Sequence, residues 1–397
     1  MGTSKAEPKL LTNGLALSLC FSLLAAGEAK AVSFTFTKIA QSSSSFGDVG
    51  GGPINDSGTV AFVRGGGLFT SNGNSLTTIV SPDPSVFSGF NGLAINNSGT
   101  VAFGAFPLFP SRDSIFIGNG SYLTRIAEVG SFFYAFGFPP SINDSGTVAF
   151  GAYYDNGFTD TAIFTSSNGA ITTIADTSGP FRFFDQPYPQ INNSGTVAIQ
   201  ATLDDENQGI FLSKDGSFTT VADTSGFLAG GFTNLGINNN DTVIFEAGLD
   251  NGFEGLFTSD RGLITTIADT SGPFSRFLNN PAINDNGEIV FSAYLDGLPQ
   301  NVNSHGIFLG PDPVADKVIA VGDSLFGSTV TNLFLSSDGL NNSGQIAFLA
   351  DLTDSNSNTT RFVLRADPVT QSVPEPSSTL GVLAFGAFSI VSRRLGK

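Results

Sequence analysis

The chain has 397 residues and a formal net charge of −17, with only 17 lysines and arginines. So few basic residues argue against nucleic-acid binding, which depends on many phosphate contacts. Cys20 and His305 are the only cysteine and histidine, which excludes a disulfide framework and a Cys/His zinc site. Hydrophobic residues make up 40% of the chain, and its 39 phenylalanines can supply a large core.

The amino terminus has the order of a secretory signal peptide. Lys5 and Lys9 precede an apolar run at 15–26, and Ala29-Lys30-Ala31 follows as a small-residue cleavage site. We predict that residues 1–31 are removed by signal peptidase after Ala31. A lipoprotein signal at Cys20 is the alternative, although Leu19 stands where such a signal has a small residue.

A nine-residue phrase then recurs seven times, first as Ile54-Asn55-Asp56-Ser57-Gly58-Thr59-Val60-Ala61-Phe62, with copies 41 to 57 residues apart. Asn favours the first position of a type I turn, and Gly the fourth, where the backbone is left-handed. Each copy is therefore predicted to be a hairpin turn leading into a strand. The turn residues are Asn55 and Gly58, Asn96 and Gly99, Asn143 and Gly146, Asn192 and Gly195, Asn238 and Asp241, Asn284 and Gly287, and Asn341 and Gly344. Asp at 241 tolerates the left-handed region better than most residues.

Each unit contains four short strands. A strand ending in Ile-Asn is followed by Thr-Val-Ala-Phe, by an apolar strand such as 67–69, and by a Thr-rich strand such as 77–80. No helical periodicity appears. Four strands at this period indicate a propeller blade, so we predict an all-β, seven-bladed β-propeller over residues 32–366, with units of about 47 residues. A linear β-solenoid is the alternative, but it needs capping units, and none is evident.

The two ends of the array complement each other. A Thr-rich strand at 34–40 has no blade before it, and the last unit ends at 362–364 without its fourth strand. Pairing these strands closes a ring of seven complete blades and leaves few exposed edges. We therefore predict closure by the N-terminal strand.

The carboxyl terminus, 367–397, is predicted to be a linker and an export tail. An apolar segment at 379–391 precedes the basic end, and it is shorter than the roughly 20 residues of a stable membrane span. The basic end favours a cytoplasmic position. We expect a short transmembrane segment that anchors the chain transiently.

Two resemblances follow from these motifs. Pro374-Glu375-Pro376, the apolar segment and Arg393-Arg394 together resemble the PEP-CTERM sorting tail, which implies recognition of the triplet and processing by an exosortase-like protease. The repeated phrase is similar to that of the NxxGxxAF tandem-repeat proteins over about residues 34–366, and this resemblance implies no known catalytic residues. Departures from the phrase occur at Ile199, Asp241, Ile244 and Val290.

Few side chains in the sequence could bind a metal ion or another cofactor. The acidic loops between the second and third strands could place oxygen ligands for Ca²⁺ on one rim, although none has the spacing of a known calcium loop and solvated turns are the competing interpretation. Their calcium candidates are Asp155, Asp204, Asp250 and Asp296. No other cofactor is expected.

Three further features are interpreted structurally. His305 is predicted to be an exposed loop residue. Asp-Thr-Ser-Gly at 176, 223 and 269 has the letters of an aspartic-protease phrase, but it recurs in register with the repeat and fits a turn in which Asp caps its own backbone. The aromatic clusters at 132–134 and 181–184 either stack on sugar rings or pack between blades.

The functional prediction is an exported, monomeric, non-enzymatic scaffold at the cell surface or in the extracellular matrix that binds a glycan or a protein. One alternative is a polysaccharide lyase or hydrolase that uses rim carboxylates. Another is a structural matrix protein without a specific ligand. A convergent pair of carboxylates in the channel, one with a raised pKa, would favour the enzyme.

Overall fold

The computed structural model describes residues 32–42, 48–83, 85–107, 112–130, 132–154, 160–184, 187–297 and 304–369. All regular elements in these ranges are β-strands, which form seven antiparallel sheets. The predicted seven-bladed β-propeller is confirmed. The first strands of neighbouring blades contact each other around a central channel. We number the strands of each blade outward from that channel.

Strand β1 spans Phe34–Gln41. Blade 1 contains β2 (Val49–Ile54), β3 (Val60–Arg64), β4 (Gly67–Ser71) and β5 (Leu76–Val80). Blade 2 contains β6 (Phe87–Ile95), β7 (Val101–Pro107), β8 (Ser114–Gly118) and β9 (Leu123–Glu128). Blade 3 contains β10 (Ala135–Phe136), β11 (Ser141–Ile142), β12 (Val148–Tyr153), β13 (Thr161–Ser167) and β14 (Ala170–Asp176). Blade 4 contains β15 (Phe181–Phe183), β16 (Gln190–Ile191), β17 (Val197–Leu203), β18 (Gln208–Lys214) and β19 (Ser217–Asp223).

Blade 5 contains β20 (Leu228–Ile237), β21 (Val243–Leu249), β22 (Glu254–Asp260) and β23 (Leu263–Asp269). Blade 6 contains β24 (Phe274–Ile283), β25 (Ile289–Leu295), β26 (His305–Phe308) and β27 (Lys317–Ala320). Blade 7 contains β28 (Ser324–Leu325), β29 (Ser328–Leu340), β30 (Ile346–Thr353) and β31 (Thr359–Pro368), and β1 completes it.

Ring closure occurs as the sequence predicts. Strand β1 pairs antiparallel with β31, from Phe34 opposite Pro368 to Gln41 opposite Phe362. The amino-terminal strand therefore supplies the fourth strand of the last blade. Without it, β31 would present an unpaired backbone edge.

The predicted hairpin turn is also confirmed. In the first copy, the Gly58 N–H donates to the Asn55 carbonyl (2.9 Å), and the Asn55 N–H donates to the Thr59 carbonyl (3.0 Å). The fourth turn residue has φ between 62° and 81° in all seven copies. Asp241, at 62°, accepts a hydrogen bond from the Asn192 side chain at 2.7 Å, a contact that glycine could not make.

The strand that follows each turn is buried on both faces. In blade 1, Val60, Ala61 and Phe62 are all fully buried. The Phe of the phrase contacts the Phe of the third strand in five blades, with ring centroids 5.5 to 5.9 Å apart; the rings are stacked in four of these blades and tilted in blade 6. Each such buried aromatic contributes about 1.5–3 kcal/mol of transfer free energy. In blade 4 the Phe position is occupied by Ile199, which lies opposite Phe211.

The first strands are irregular just before the turn. Left-handed residues occur three or four positions ahead of the turn Asn in blades 1, 2, 5, 6 and 7, namely Gly52, Gly92, Asn234, Asn280 and Asp338. In blades 3 and 4 prolines occupy this region, and the first strand is split into two short pieces. Each of these two blades has two prolines there, neither of which can donate to the strand ladder, whereas the single prolines of blades 1 and 6 leave the first strand continuous. These irregularities shape the wall of the channel.

Candidate functional site

A closed ring of seven hydrogen bonds surrounds one end of the channel, which we call the turn end. Each turn Asn is 3–5% exposed, and its Nδ2 donates to the backbone carbonyl of the turn Asn in the next blade. The ring closes where Asn341 donates to Asn55, and the seven distances lie between 2.9 and 3.1 Å. The Oδ1 of each Asn accepts the backbone N–H four residues later. The repeated phrase therefore joins blades as well as forming turns.

A second ring is formed by the residue after each turn Asn. Its backbone N–H donates to the Oδ1 of the equivalent residue in the next blade at 2.8–2.9 Å. Three members are aspartates, and each accepts side-chain N–H groups from the asparagines on either side. The members are Asp56, Asn97, Asp144, Asn193, Asn239, Asp285 and Asn342. Around a cavity of about 160 Å³, the three carboxylates are thus held by amide donors.

The opposite end of the channel is open and its lining differs from blade to blade. Three cavities adjoin there. A central cavity of about 70 Å³ touches blades 3 to 7, an aromatic cavity of about 410 Å³ touches blades 1, 2, 6 and 7, and an acidic cavity of about 400 Å³ touches blades 5 and 6. Asn280 lines both the central and the aromatic cavity, and Asn234 lines both the central and the acidic cavity. The three form one groove across the channel mouth.

Asp338 is a carboxylate in the channel itself. It lines both the central cavity and the cavity at the turn end, and its backbone is left-handed (φ 50°). The side chain remains accessible to solvent within the channel, but protein surrounds it. This enclosure raises the pKa of the Asp338 carboxyl to about 6.

The aromatic cavity combines an exposed ring with a fixed cation. Phe334 is 42% exposed, and the guanidinium carbon of Arg361 lies 5.0 Å from the centre of its ring. Buried Asp351 holds Arg361 through two hydrogen bonds of 2.7 and 2.9 Å. Glycines at 50–52 form part of the opposite wall and leave it without side chains. The ring is therefore oriented before any ligand arrives.

The acidic cavity contains two carboxylates in unlike surroundings. Oε2 of Glu246 accepts a hydrogen bond from Asn234 at 3.0 Å, while Oε1 is buried without a hydrogen-bond partner among the described residues. Burial raises the pKa of the Glu246 carboxyl to about 7; the Asn234 bond opposes the shift, the charge of Glu254 adds to it, and Arg276 opposes it. Glu254 is exposed at the cavity mouth. A strained backbone at Asn234 (φ 55°) holds the partner of Glu246 in place.

The calcium candidates do not converge. Asp204, Asp250 and Asp296 are exposed, one in each of blades 4, 5 and 6, in loops after the second strand. Asp155 lies outside the described residues. Within those residues there is no group of three or more His, Cys, Asp or Glu side chains that could hold a metal ion. The calcium hypothesis stays a prediction.

His305 is not the exposed loop residue that the sequence suggested. It is 3% exposed at the start of β26, and its Nε2 lies 3.1 Å from the Leu333 carbonyl and 3.3 Å from the Leu333 nitrogen. Burial lowers the pKa of the imidazole. The position packs against the first strand of the next blade, and sequence alone did not reveal this contact.

The structure also shows where the Asp-Thr-Ser-Gly phrases and the two aromatic clusters lie. Oδ1 of Asp176 accepts the Ser178 N–H at 2.9 Å, and the copies at 223 and 269 form the same turn, as predicted. In the first aromatic cluster Phe132 and Tyr134 are exposed. In the second, Phe181 and Phe184 are buried in a hydrophobic cluster shared by blades 3 and 4, so they pack between blades.

The predicted signal and sorting residues, at 1–31 and 370–397, lie outside the described residues. The predicted residues in these two segments are Ala29, Ala31, Pro374, Glu375, Pro376, Arg393 and Arg394. Among the residues that the structure does describe, no helix is long and apolar enough to cross a membrane.

The sheets and the groove define a seven-bladed β-propeller with a varied, open channel mouth. Residues 70–371 match a family of unknown function, DUF7453, and the chain belongs to that family. A comparison with curated proteins finds no significant match.

Solved structures share the architecture at low sequence identity. An oligogalacturonate lyase from Vibrio parahaemolyticus is similar with a TM-score of 0.54 and 10% identity, over 87% of this chain and 99% of the lyase. A polysaccharide lyase, Uly1, has a TM-score of 0.44 and 10% identity, over 84% of this chain and 90% of that one. The first likeness shows the propeller fold alone, and the second is too distant in shape to add to it.

Proposed function

We propose that this protein is an exported polysaccharide-binding protein of the cell surface or extracellular matrix, and that its ligand lies along the groove. The continuity of the three cavities across the channel mouth is the observation that carries the proposal. A groove of this form suits a chain-like ligand better than a small compact one. The similar Vibrio parahaemolyticus protein is named an oligogalacturonate lyase, which agrees with a carbohydrate ligand; the charge of that anionic sugar is not carried over to this chain.

The groove offers the contacts that sugars use. Phe334 presents an exposed ring face at one end, where an apolar sugar face can stack. Tyr188, Gln200, Asn234 and Asn280 line the centre with hydroxyl and amide groups, which can both donate to and accept from sugar hydroxyls. Asn234 and Asn280 already donate to Glu246 and to the Leu335 carbonyl, whereas neither Tyr188 nor Gln200 makes a side-chain hydrogen bond within the described residues. At the turn end, all the amides of the two rings bond to one another. Recognition is therefore assigned to the groove.

The negative charge of the protein also bears on which polysaccharides can bind. The chain carries a net charge of −17, and two of its carboxyl groups lie at the groove in the acidic cavity. Such a field disfavours the approach of a densely charged polyanion. The proposal is therefore a neutral or sparsely charged polysaccharide.

Binding is tested on a glycan array with the purified protein, with and without calcium. We expect specific retention of an oligosaccharide, weakened about tenfold by Phe334→Ala, which corresponds to ~1.4 kcal/mol. Phe218→Ala is the matched control, because that ring is 39% exposed on the outer strand of blade 4 and lies outside the groove. If no glycan binds in either condition, the structural matrix interpretation replaces this proposal.

Export is tested by the mass of the protein recovered from the surface and medium of the native cells. The mature chain should begin at residue 32 and end near the Pro-Glu-Pro motif, since signal peptidase and an exosortase-like protease are the proposed partners. Replacing Pro374, Glu375 and Pro376 with alanine should leave the tail uncut. Recovery of a chain with an intact amino terminus would contradict the export route.

A further inference from the structure

The acidic cavity is built by backbone features as well as by its charges. Gly230, Gly231 and Gly248 line it without side chains. Gly248 pairs directly with Glu254 across β21 and β22, so the carboxylate faces open space. The resulting volume of about 400 Å³ falls within the usual range for small-molecule sites.

The strand register places the two glutamates close together on one face of the sheet. Glu246 lies opposite Leu256, and Gly248 lies opposite Glu254, so the two glutamates are diagonal neighbours on one face of the sheet. Diagonal neighbours are about 7–8 Å apart at the backbone. In glycoside hydrolases where one carboxyl group protonates the leaving oxygen and the other activates a water, the two carboxyl groups are about 6.5–9.5 Å apart. The register is therefore compatible with a sugar between the two groups.

The two groups also differ in their surroundings. Glu246 is buried and keeps its proton to about pH 7, whereas Glu254 is exposed at the mouth of the cavity. Two carboxyl groups whose surroundings separate their protonation states are the usual arrangement of a proton donor and a base. Arg276 lines the same cavity, is exposed, and makes no ion pair among the described residues, so it can donate to sugar hydroxyls.

The repeat shows that Glu246 is not required by the fold. The residue directly after the phrase is Val63, Gly104, Gly151, Gln200, Glu246, Ser292 or Leu349 in blades 1 to 7. Blade 5 alone has an ionisable side chain at this position. A partly desolvated carboxyl group costs stability, so its presence needs a reason other than packing.

We infer that Glu246 and Glu254 form an acid–base pair that hydrolyses a glycosidic bond of a neutral polysaccharide in the acidic cavity. The inference rests on the proposed binding function. Glu246 gives its proton to the glycosidic oxygen as the bond from that oxygen to the anomeric carbon breaks. Glu254 takes a proton from the water that forms the new bond to that carbon. Return of the proton from Glu254 to Glu246 through solvent restores the enzyme, with one water consumed.

The test measures new reducing ends after the full-length protein is incubated with a β-glucan, a xylan, a mannan or starch. We expect cleavage of at least one, with a rate that falls as pH rises above about 7, where Glu246 loses its proton. Glu246→Gln and Glu254→Gln should each lower the rate about 100-fold or more. Both should retain binding, because the amide preserves the shape of the side chain. Glu128→Gln is the control, since Glu128 pairs with Arg125 on the surface of blade 2.

The outcomes separate the two proposals. Binding without cleavage overturns the acid–base pair and leaves the binding function standing, whereas the absence of both overturns both. Cleavage that survives in Glu246→Gln, with the variant still folded, overturns the role of that residue.

Discussion

Replacing one turn asparagine should destabilise the whole ring of blades. Asn96 is 4% exposed and makes four hydrogen bonds: its Nδ2 donates to the Asn143 carbonyl, and its Oδ1 accepts from the N–H and hydroxyl of Ser98 and from the Thr100 N–H. Asn96→Ala removes all four. A hydrogen bond contributes about 1 kcal/mol net, and a buried donor left unpaired costs about 1–3 kcal/mol. We expect a loss of roughly 3–5 kcal/mol, a large share of the usual 5–15 kcal/mol stability of a protein.

Equilibrium unfolding in urea measures this loss. Asn119→Ala is the matched control, because Asn119 also caps a turn, through the Ser121 N–H at 3.0 Å, but on the exposed side of blade 2. We expect the control to cost at most about 1 kcal/mol. If Asn96→Ala costs no more than Asn119→Ala, the ring does not stabilise the fold.

Asn96→Asp separates the acceptor role from the donor role. The carboxylate keeps the acceptor for Thr100, but it loses the donor and places negative charge 3.0 Å from the Asn143 carbonyl. Burial and this carbonyl raise the pKa of the new carboxyl, so the variant should lose stability as pH rises through that pKa. At lower pH the protonated group donates again. A deficit that does not change with pH would refute this explanation.

Three further predictions use other parts of the fold. Deleting residues 34–41 removes the strand that pairs with β31, so the protein should melt at a lower temperature in a single transition; an unchanged melting curve would disprove closure by this strand. Glu246→Gln should stabilise the protein at pH 8 by up to ~3 kcal/mol and have little effect at pH 4. Folding raises the pKa of Glu246 from 4.5 to about 7, so the folded state of the parent loses stability as pH rises between these values. Urea unfolding at both pH values checks this, and an equal effect at both would contradict it. Gly151→Ala should lower the free energy of unfolding by about 1–3 kcal/mol, because a Cβ there would overlap the carbonyl oxygen of Pro187. In Gly130→Ala the new Cβ meets open space, so this control should be nearly neutral in the same thermal melts.

The fold was accessible from sequence because its causes are local and repeated. The Asn and Gly of each phrase specify a turn from four residues, and Val60 and Phe62 specify a strand from alternation and burial. Counting copies then gives the number of blades. The unmatched strands at 34–40 and 362–364 give the closure, which the register of β1 against β31 confirms.

The two hydrogen-bonded rings were not predicted, because they exist only once the blades are arranged in a circle. An Asn at a turn is already explained by its bond to Ser98 or Thr100, so its second bond, to the next blade, leaves no separate signal. The burial of His305 depends in the same way on the neighbouring blade.

Glu246 did leave a signal in the sequence. Aligning the seven copies shows a charged residue in one blade where the others have neutral residues, and the comparison needs no structure. What sequence could not supply is the cavity around it, since this depends on the diagonal register with Glu254 and on the glycines of β20 and β21.

The two ends of the channel are suited to different tasks because their polar groups have different partners. At the turn end, each Asn satisfies a neighbour on both sides, so a ligand that takes one amide leaves a carbonyl in the next blade without its donor. Binding there must first offset that loss, about 1 kcal/mol or more per bond. At the groove end, Asn234 donates to Glu246 within blade 5 and Asn280 donates to the Leu335 carbonyl of blade 7, but these bonds do not form a closed ring. Exposed groups such as the Glu254 carboxylate and the Arg276 guanidinium can bond to a ligand without breaking a bond between blades, so the free energy of recognition favours the groove.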